Sequence, residues 1–220
     1  MNREVRRTIR VRVAAAAAVL ALGVLPAWSA SPSLSFEEQA VVISGLAPGG
    51  SVAVFGVSRG FNGFTGYVLR HDRVLAADAE GSARLDLELL PVQSVFAAVD
   101  LTTGEMGFGA PEPFSLEQRP LGPEAIDAGG SGLTERGRWT YALWVRPQAD
   151  AGAGVWGAIV GDGGTNDADG VEDGVVRAAV SSFVPIEGIE SAPPARLDGG
   201  DVVVVVDPET LEVAATRLSG

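Results

Sequence analysis

Apolar and polar residues alternate with a period of two along most of the chain after residue 40, the period of strands and not of helices. The clearest case is Ala83-Arg84-Leu85-Asp86-Leu87-Glu88-Leu89, which puts Leu85, Leu87 and Leu89 on one face and Arg84, Asp86 and Glu88 on the other. Val41-Val42-Ile43 is a short strand ending at the turn Ala47-Pro48-Gly49-Gly50. Ser51 to Val57 alternates, with Val52, Val54 and Gly56 on one face. Arg59 to Gly66 reads as a loop, Tyr67 to Ala77 as a strand region, and Asp78-Ala79-Glu80-Gly81 as its turn. Val95 to Val99 is a strand, Asp100 to Gly104 a turn, and Glu105 to Phe108 the returning strand. Ser31 to Gln39 reads as a polar lead-in.

Composition shifts at Pro111 to Arg138, where four Pro and five Gly collect. That is the composition of a connection. Strand patterning resumes at Trp139-Thr140-Tyr141-Ala142-Leu143-Trp144-Val145 and continues through Val155 to Val160 and Val175 to Phe183. Val202 to Val206 is an unbroken β-branched run, the mark of a strand buried on both faces. Asp207-Pro208-Glu209-Thr210 turns it into Leu211 to Leu218. Two segments echo across the chain. Ala83-Arg84-Leu85-Asp86 recurs as Ala195-Arg196-Leu197-Asp198, and Val95 to Asp100 recurs as Val202 to Asp207. The pattern predicts an all-β chain of two β-sandwiches in tandem, or one large sandwich with similar hairpins. The expected units are 31–110 and 139–220, with 111–138 between them.

Gly45-Leu46-Ala47-Pro48-Gly49-Gly50-Ser51-Val52-Ala53-Val54, then Ala77-Asp78-Ala79-Glu80-Gly81, then Val99-Asp100 with Gly104, resembles the bacterial immunoglobulin-like repeats of surface adhesins. The resemblance covers roughly residues 40–109. It implies an immunoglobulin-like β-sandwich that serves as a spacer or binder and carries no catalytic residues.

Residues 1–12 hold five Arg and one Glu, Val13 to Pro26 is an apolar run, and Ala27-Trp28-Ser29-Ala30 supplies small residues for cleavage. Basic, apolar and small-residue regions in that order make an export signal over 1–30; the apolar run is short for a membrane span. The expected location is secreted, periplasmic or cell-surface, without stable membrane insertion after cleavage. The chain carries a net charge of −12, and residues 1–12 contribute +4 of it, so the remainder stands at −16. A surface that acidic disfavours nucleic acid and anionic membranes. No Cys is present, which removes disulfides and thiolate metal sites.

One loop has the composition of an ion site: Gly161 to Gly174, with five acids and an Asn. Set against the helix-flanked calcium template, Thr165 takes position 1, Asp167 position 3, Asp169 position 5, Gly170 position 6, Val171 position 7 and Asp173 position 9. The Asp-x-Asp-Gly-x-x-Asp core resembles the calcium loops of thrombospondin type 3 repeats and dockerins. That resemblance implies calcium held by Asp167, Asp169, Asp173 and the Val171 carbonyl, with Asp162 or Asn166 helping to complete the shell. Thr165 in place of Asp and Val176 in place of Glu depart from the template. The other reading is a solvated hairpin loop, because Asp-Gly is a favoured turn and occurs here three times.

Other candidate chemistry is sparse. His71 is the one histidine, beside Asp72, but neighbours on a strand point to opposite faces. Trp139, Tyr141, Trp144 and Trp156 form either core or a sugar-stacking face; buried Trp is the commoner case. The resulting expectation is a secreted, non-enzymatic β-sandwich, with no catalytic residues, that binds or spaces a protein or glycan at the cell surface. The alternatives are a carbohydrate-binding module and an exported hydrolase using paired carboxylates.

Overall fold

The computed structural model describes residues 31–61, 66–87, 93–111, 118–120, 132–136, 139–147, 154–164, 166–186, 189–208 and 210–219. Residues 1–30, expected from the sequence to be an export signal, lie outside them, as does Thr165.

The first half begins with β1 (Ser33–Glu37), β2 (Ala40–Ser44), β3 (Ser51–Phe61) and β4 (Gly66–Ala76). It continues with β5 (Ala83–Asp86), β6 (Gln93–Asp100) and β7 (Met106–Gly109). These form two antiparallel sheets, ordered β1-β2-β5 and β4-β3-β6-β7. That is a seven-strand sandwich of immunoglobulin-like architecture, with the difference from the constant-type order that β4 pairs with β3 rather than lying beside β5. Val41, Ile43, Val52, Val54, Leu85, Phe96 and Ala98 fill the space between them.

The segment expected as a polar lead-in is a strand. In β1, Leu34 and Phe36 are half-buried while Ser33, Ser35 and Glu37 face solvent, and the two apolar residues pack on the first core. Only two apolar residues carry the alternation, too few to stand out from the polar composition. β3 and β4 also run further than the pattern suggests, to Phe61 and from Gly66, because the hairpin keeps its register up to that pair.

The second half comprises β8 (Gln118–Pro120), β9 (Gly132–Arg136), β10 (Trp139–Arg146) and β11 (Gly154–Gly161). After these come β12 (Val175–Ala179), one 3₁₀ turn (Val180–Ser182), β13 (Val184–Pro185), β14 (Val202–Val206) and β15 (Val213–Arg217). One sheet is ordered β13-β11-β10-β14-β15-β8, the other is the pair β12-β9. All pairings are antiparallel except β15 with β8. The hairpin β10–β11 with β14 and β15 repeats the arrangement of β3–β4 with β6 and β7. The Val95/Val202 echo therefore marks equivalent strands. The Ala83/Ala195 echo does not: β5 is a strand, whereas 195–198 is irregular.

Within 112–138 the described residues are 118–120 and 132–136, and both stretches are strands that pair with the second half. A linker reading missed them because three to five residues carry little period and their partners, β15 and β12, lie far along the chain.

The four sheets stack into layers with three apolar seams. Odd-numbered residues of β3 and β6 (Ala53, Phe55, Val57, Val95, Ala97 and Val99) point away from the first sandwich core. They meet Leu143, Val145, Val155, Val202, Val204 and Val206 of the second half. The opposite faces of β10 and β14 (Ala142, Trp144, Val203 and Val205) close the third seam with Trp156, Val176, Ala178 and Phe183. Both central sheets are thus buried on two sides. This accounts for β14 being five consecutive buried valines, a pattern otherwise typical of sheets covered on both faces.

Candidate functional site

The acidic loop joins β11 to β12. Gly163, Gly170 and Gly174 all take positive φ, at 68°, 63° and 80°, conformations that glycine adopts without steric cost. They let the chain fold back on itself, and its carboxylates are used to hold that fold. Asp162 accepts the amides of Asp173 and Gly174 at 3.0 and 2.7 Å. Asp167, buried, accepts the amides of Gly163 and Arg177, each at 2.9 Å. Asp169 accepts the Val171 amide at 3.1 Å.

The positive charge in the loop is a side chain. Arg177 on β12 reaches Asp169 at 2.9 Å and Asp173 at 3.1 Å. Its hydrogen bonds hold the Asp173 carboxyl below the usual carboxylate range. Asn166 turns its amide to the Ile159 carbonyl at 3.0 Å, and Val171 is exposed.

Calcium requires six to eight oxygens converging on one point. Here the oxygens of Asp162, Asp167, Asp169 and Asp173 are directed at backbone amides and at one guanidinium. Among the described residues, no three acids or histidines are grouped to hold a metal ion. The loop as folded does not fit a calcium shell. Sequence spacing found the acids but passed over Arg177, which stands four positions after Asp173 and was read only as part of the strand leading out of the loop.

The aromatic residues separate. Trp144 and Trp156 are buried with ring centroids 4.8 Å apart, and the Phe183 ring meets Trp144 edge-on at 5.7 Å. Tyr141 packs at the seam between the halves. Trp139, 45% exposed, lies opposite Gly161 in register, and a Cβ on Gly161 would run into its ring. An aromatic ring covering a cross-strand glycine is a packing device. The four rings do not form one sugar-stacking platform.

A polar centre with no sequence signal lies beneath the second half. Asp201, 1% exposed, accepts hydrogen bonds from Trp144 Nε1 (2.9 Å), Arg146 Nε (2.8 Å), Arg146 Nη2 (2.7 Å) and the Asp198 amide (2.9 Å). These bonds raise the Arg146 pKa further above its ordinary value. The first half has a counterpart in Asp100, buried, which accepts the amides of Ala47, Thr102 and Thr103. Each buried carboxylate ties a loop to a central strand.

His71 sits opposite Gly56 on the face turned to the first core. Its Nε2 lies 3.0 Å from the buried Ser58 hydroxyl. Asp72 faces the other way, toward the second half, in an ion pair with Arg70 at 2.9 Å.

No protein-family model matches the chain, and no curated protein matches it. Among solved structures, the chain is similar to a tetra-tandem repeat in the extending region of a large adhesion protein, at 14% identity and a TM-score of 0.23. The match covers 86% of this chain and 48% of the other, so this chain spans about half the length of that structure. At that score the likeness adds nothing to the strand order described above. Among the described residues, no helix is long and apolar enough to cross a membrane.

Proposed function

We propose that the chain is an extracellular, non-enzymatic module that binds or spaces at a cell surface, and that it acts as one stiff body. The observation that supports this most is the seam between the halves: Phe55, Val57, Val95 and Val99 on one sheet against Leu143, Val145, Val202 and Val204 on the other. Burial of this kind stabilises by roughly 25 cal/mol for each Å² of apolar surface removed from water. Immunoglobulin-type units joined only by a linker would move independently. Units sharing a core hold a set orientation, which suits a rod-like spacer or a fixed binding platform.

The carboxylates support the same reading. Asp100, Asp167 and Asp201 are engaged in holding loops, and Asp169 and Asp173 are paired with Arg177. The export-type order of residues 1–30 and the acidic remainder suit a protein that works outside the cytoplasm. Its partner in this reading is a protein or a glycan at the cell surface.

The test uses the purified protein in two assays: binding to intact cells and cell-wall fractions, and turnover of a panel of chromogenic glycosides and esters. The reading expects saturable binding without turnover. Turnover that is lost on replacing a carboxylate by its amide would favour the paired-carboxylate hydrolase.

A further inference from the structure

We propose that the outer edge of β4 is a self-association surface: it pairs antiparallel with β4 of a second copy of this chain, about a twofold axis at His71, and joins two four-stranded sheets into one.

β4 ends the sheet β4-β3-β6-β7, and among the described residues no strand pairs with its outer side. It is 11 residues long, as is β3. None of the residues from Leu69 to Ala76 is buried, whereas Val52 to Ser58 of β3 all are. A terminal strand presents a row of unpaired N–H and C=O groups, and proteins commonly blunt it with Pro, Lys, a bulge or shortness. β4 holds neither Pro nor Lys. Its register with β3 runs from the Ser51–Ala76 pair to the Phe61–Gly66 pair without a bulge.

Its charges, Arg70, Asp72 and Arg73, deter most partners but match a second copy of themselves. Only alternate residues of an edge strand turn their N–H and C=O outward. In two identical antiparallel strands the twofold axis therefore passes through a residue and not between two. With the axis at His71, Arg70 stands opposite Asp72 of the second copy, and Asp72 opposite its Arg70. Leu69, 46% exposed, comes opposite Arg73, whose aliphatic stem can cover it. An axis at Arg70, Asp72 or Arg73 sets that residue against itself, and like charges directly opposite are destabilising. An axis at Leu69 or Val74 leaves Asp72 opposite Gly66 or Ala76, with no charge to meet. One register is thus selected, and it is self-complementary, as a twofold interface requires.

Arg70 and Asp72 already form an ion pair within the strand at 2.9 Å, with side chains 27% and 11% exposed. They lie against Gly157 of β11. In the paired form four charges of alternating sign meet across the axis. The cover that β11 provides keeps water and salt from screening them as fully as on an open surface.

One strand pair is a small interface, in the weak and reversible class below about 1,200 Å², so the dimer forms and separates with concentration. Its gain is in valency: two copies present any binding surface twice, and paired weak contacts strengthen by avidity. The association stands apart from what the module binds, and its test needs no ligand.

The experiment is sedimentation velocity of the purified protein over about a hundredfold range of concentration, where the wild-type mass should rise from one chain toward two. Arg70→Asp and Asp72→Arg each set like charges opposite each other, and each alone should stay monomeric. Mixed in equal amounts, they restore both opposite-charge pairs and should form a heterodimer. Circular dichroism checks that both variants are folded. The chain has no Cys, so His71→Cys puts a single thiol at the axis, within the Cα separation a disulfide spans. Mild oxidation should cross-link two His71→Cys chains and leave Ala76→Cys, far from the axis, uncross-linked. This comparison decides the matter if a charge variant does not fold. A wild type that stays monomeric throughout overturns the proposal. So does a dimer unchanged by either charge reversal, a mixture of folded reversals that does not associate, or cross-linking no faster at position 71 than at 76.

Discussion

Leu211 occupies in the second half the place that Gly104 occupies in the first. Gly104 donates its amide to the Asp100 carbonyl and Leu211 donates to the Asp207 carbonyl, at 2.8 and 2.7 Å. Asp100 and Asp207 in turn donate to the carbonyls of Glu105 and Glu212. Both residues have positive φ, 72° for the glycine and 61° for the leucine. The leucine is buried in the seam between the halves, and that burial accounts for the strained residue. The left-handed conformation costs a non-glycine residue about 1–2 kcal/mol, while truncating a buried leucine costs about 2–5 kcal/mol.

Leu211→Gly should therefore relieve strain and still destabilise, by a net of about 1–3 kcal/mol. Urea unfolding of the variant checks this. A variant more stable than wild type would mean that Leu211 contributes little to the shared core.

Asp201→Ala should be among the most damaging substitutions in the chain. It leaves Trp144 Nε1 without its partner and removes the main carboxylate from Arg146, and breaking a buried pair costs about 3–5 kcal/mol. Arg177→Ala, at an exposed pair, should cost far less, because solvent screens exposed ion pairs. Denaturation midpoints of the two variants measure the contrast, and similar losses at both sites would contradict it.

The acidic loop gives a third expectation. With Arg177 in place, melting temperature should be the same in calcium, magnesium and chelator at matched ionic strength. A calcium-specific rise that Asp167→Ala or Asp169→Ala abolishes would show that the loop rearranges to take the ion.

The all-β class and most central strands were legible because each carries its own period. Leu85 alternates with Arg84 and Asp86, and five valines in a row announced a strand covered on both sides. The other face of Ser51 to Val57 held the same message in Ala53, Phe55 and Val57, all apolar, which pack on the second half. What was not legible depends on register between distant segments. The pairing of Arg146 with Asp201 spans 55 positions, and nothing local marks either residue. The loop acids were visible, but whether they meet a metal or an arginine turns on where β12 places Arg177. β1 was missed because Leu34 and Phe36 are its only apolar residues.

The central claim is that the two halves share one core and unfold together. Beyond residue 30, the tryptophans are Trp139, Trp144 and Trp156, all in the second half, so their fluorescence reports that half alone. Phe55 belongs to the first half and is buried in the seam. Denaturant unfolding of Phe55→Ala, followed by tryptophan fluorescence and by circular dichroism, tests the claim most directly. With a shared core, both signals shift together to lower denaturant, by the equivalent of about 3–5 kcal/mol. A fluorescence midpoint unchanged from wild type would show two halves that fold independently.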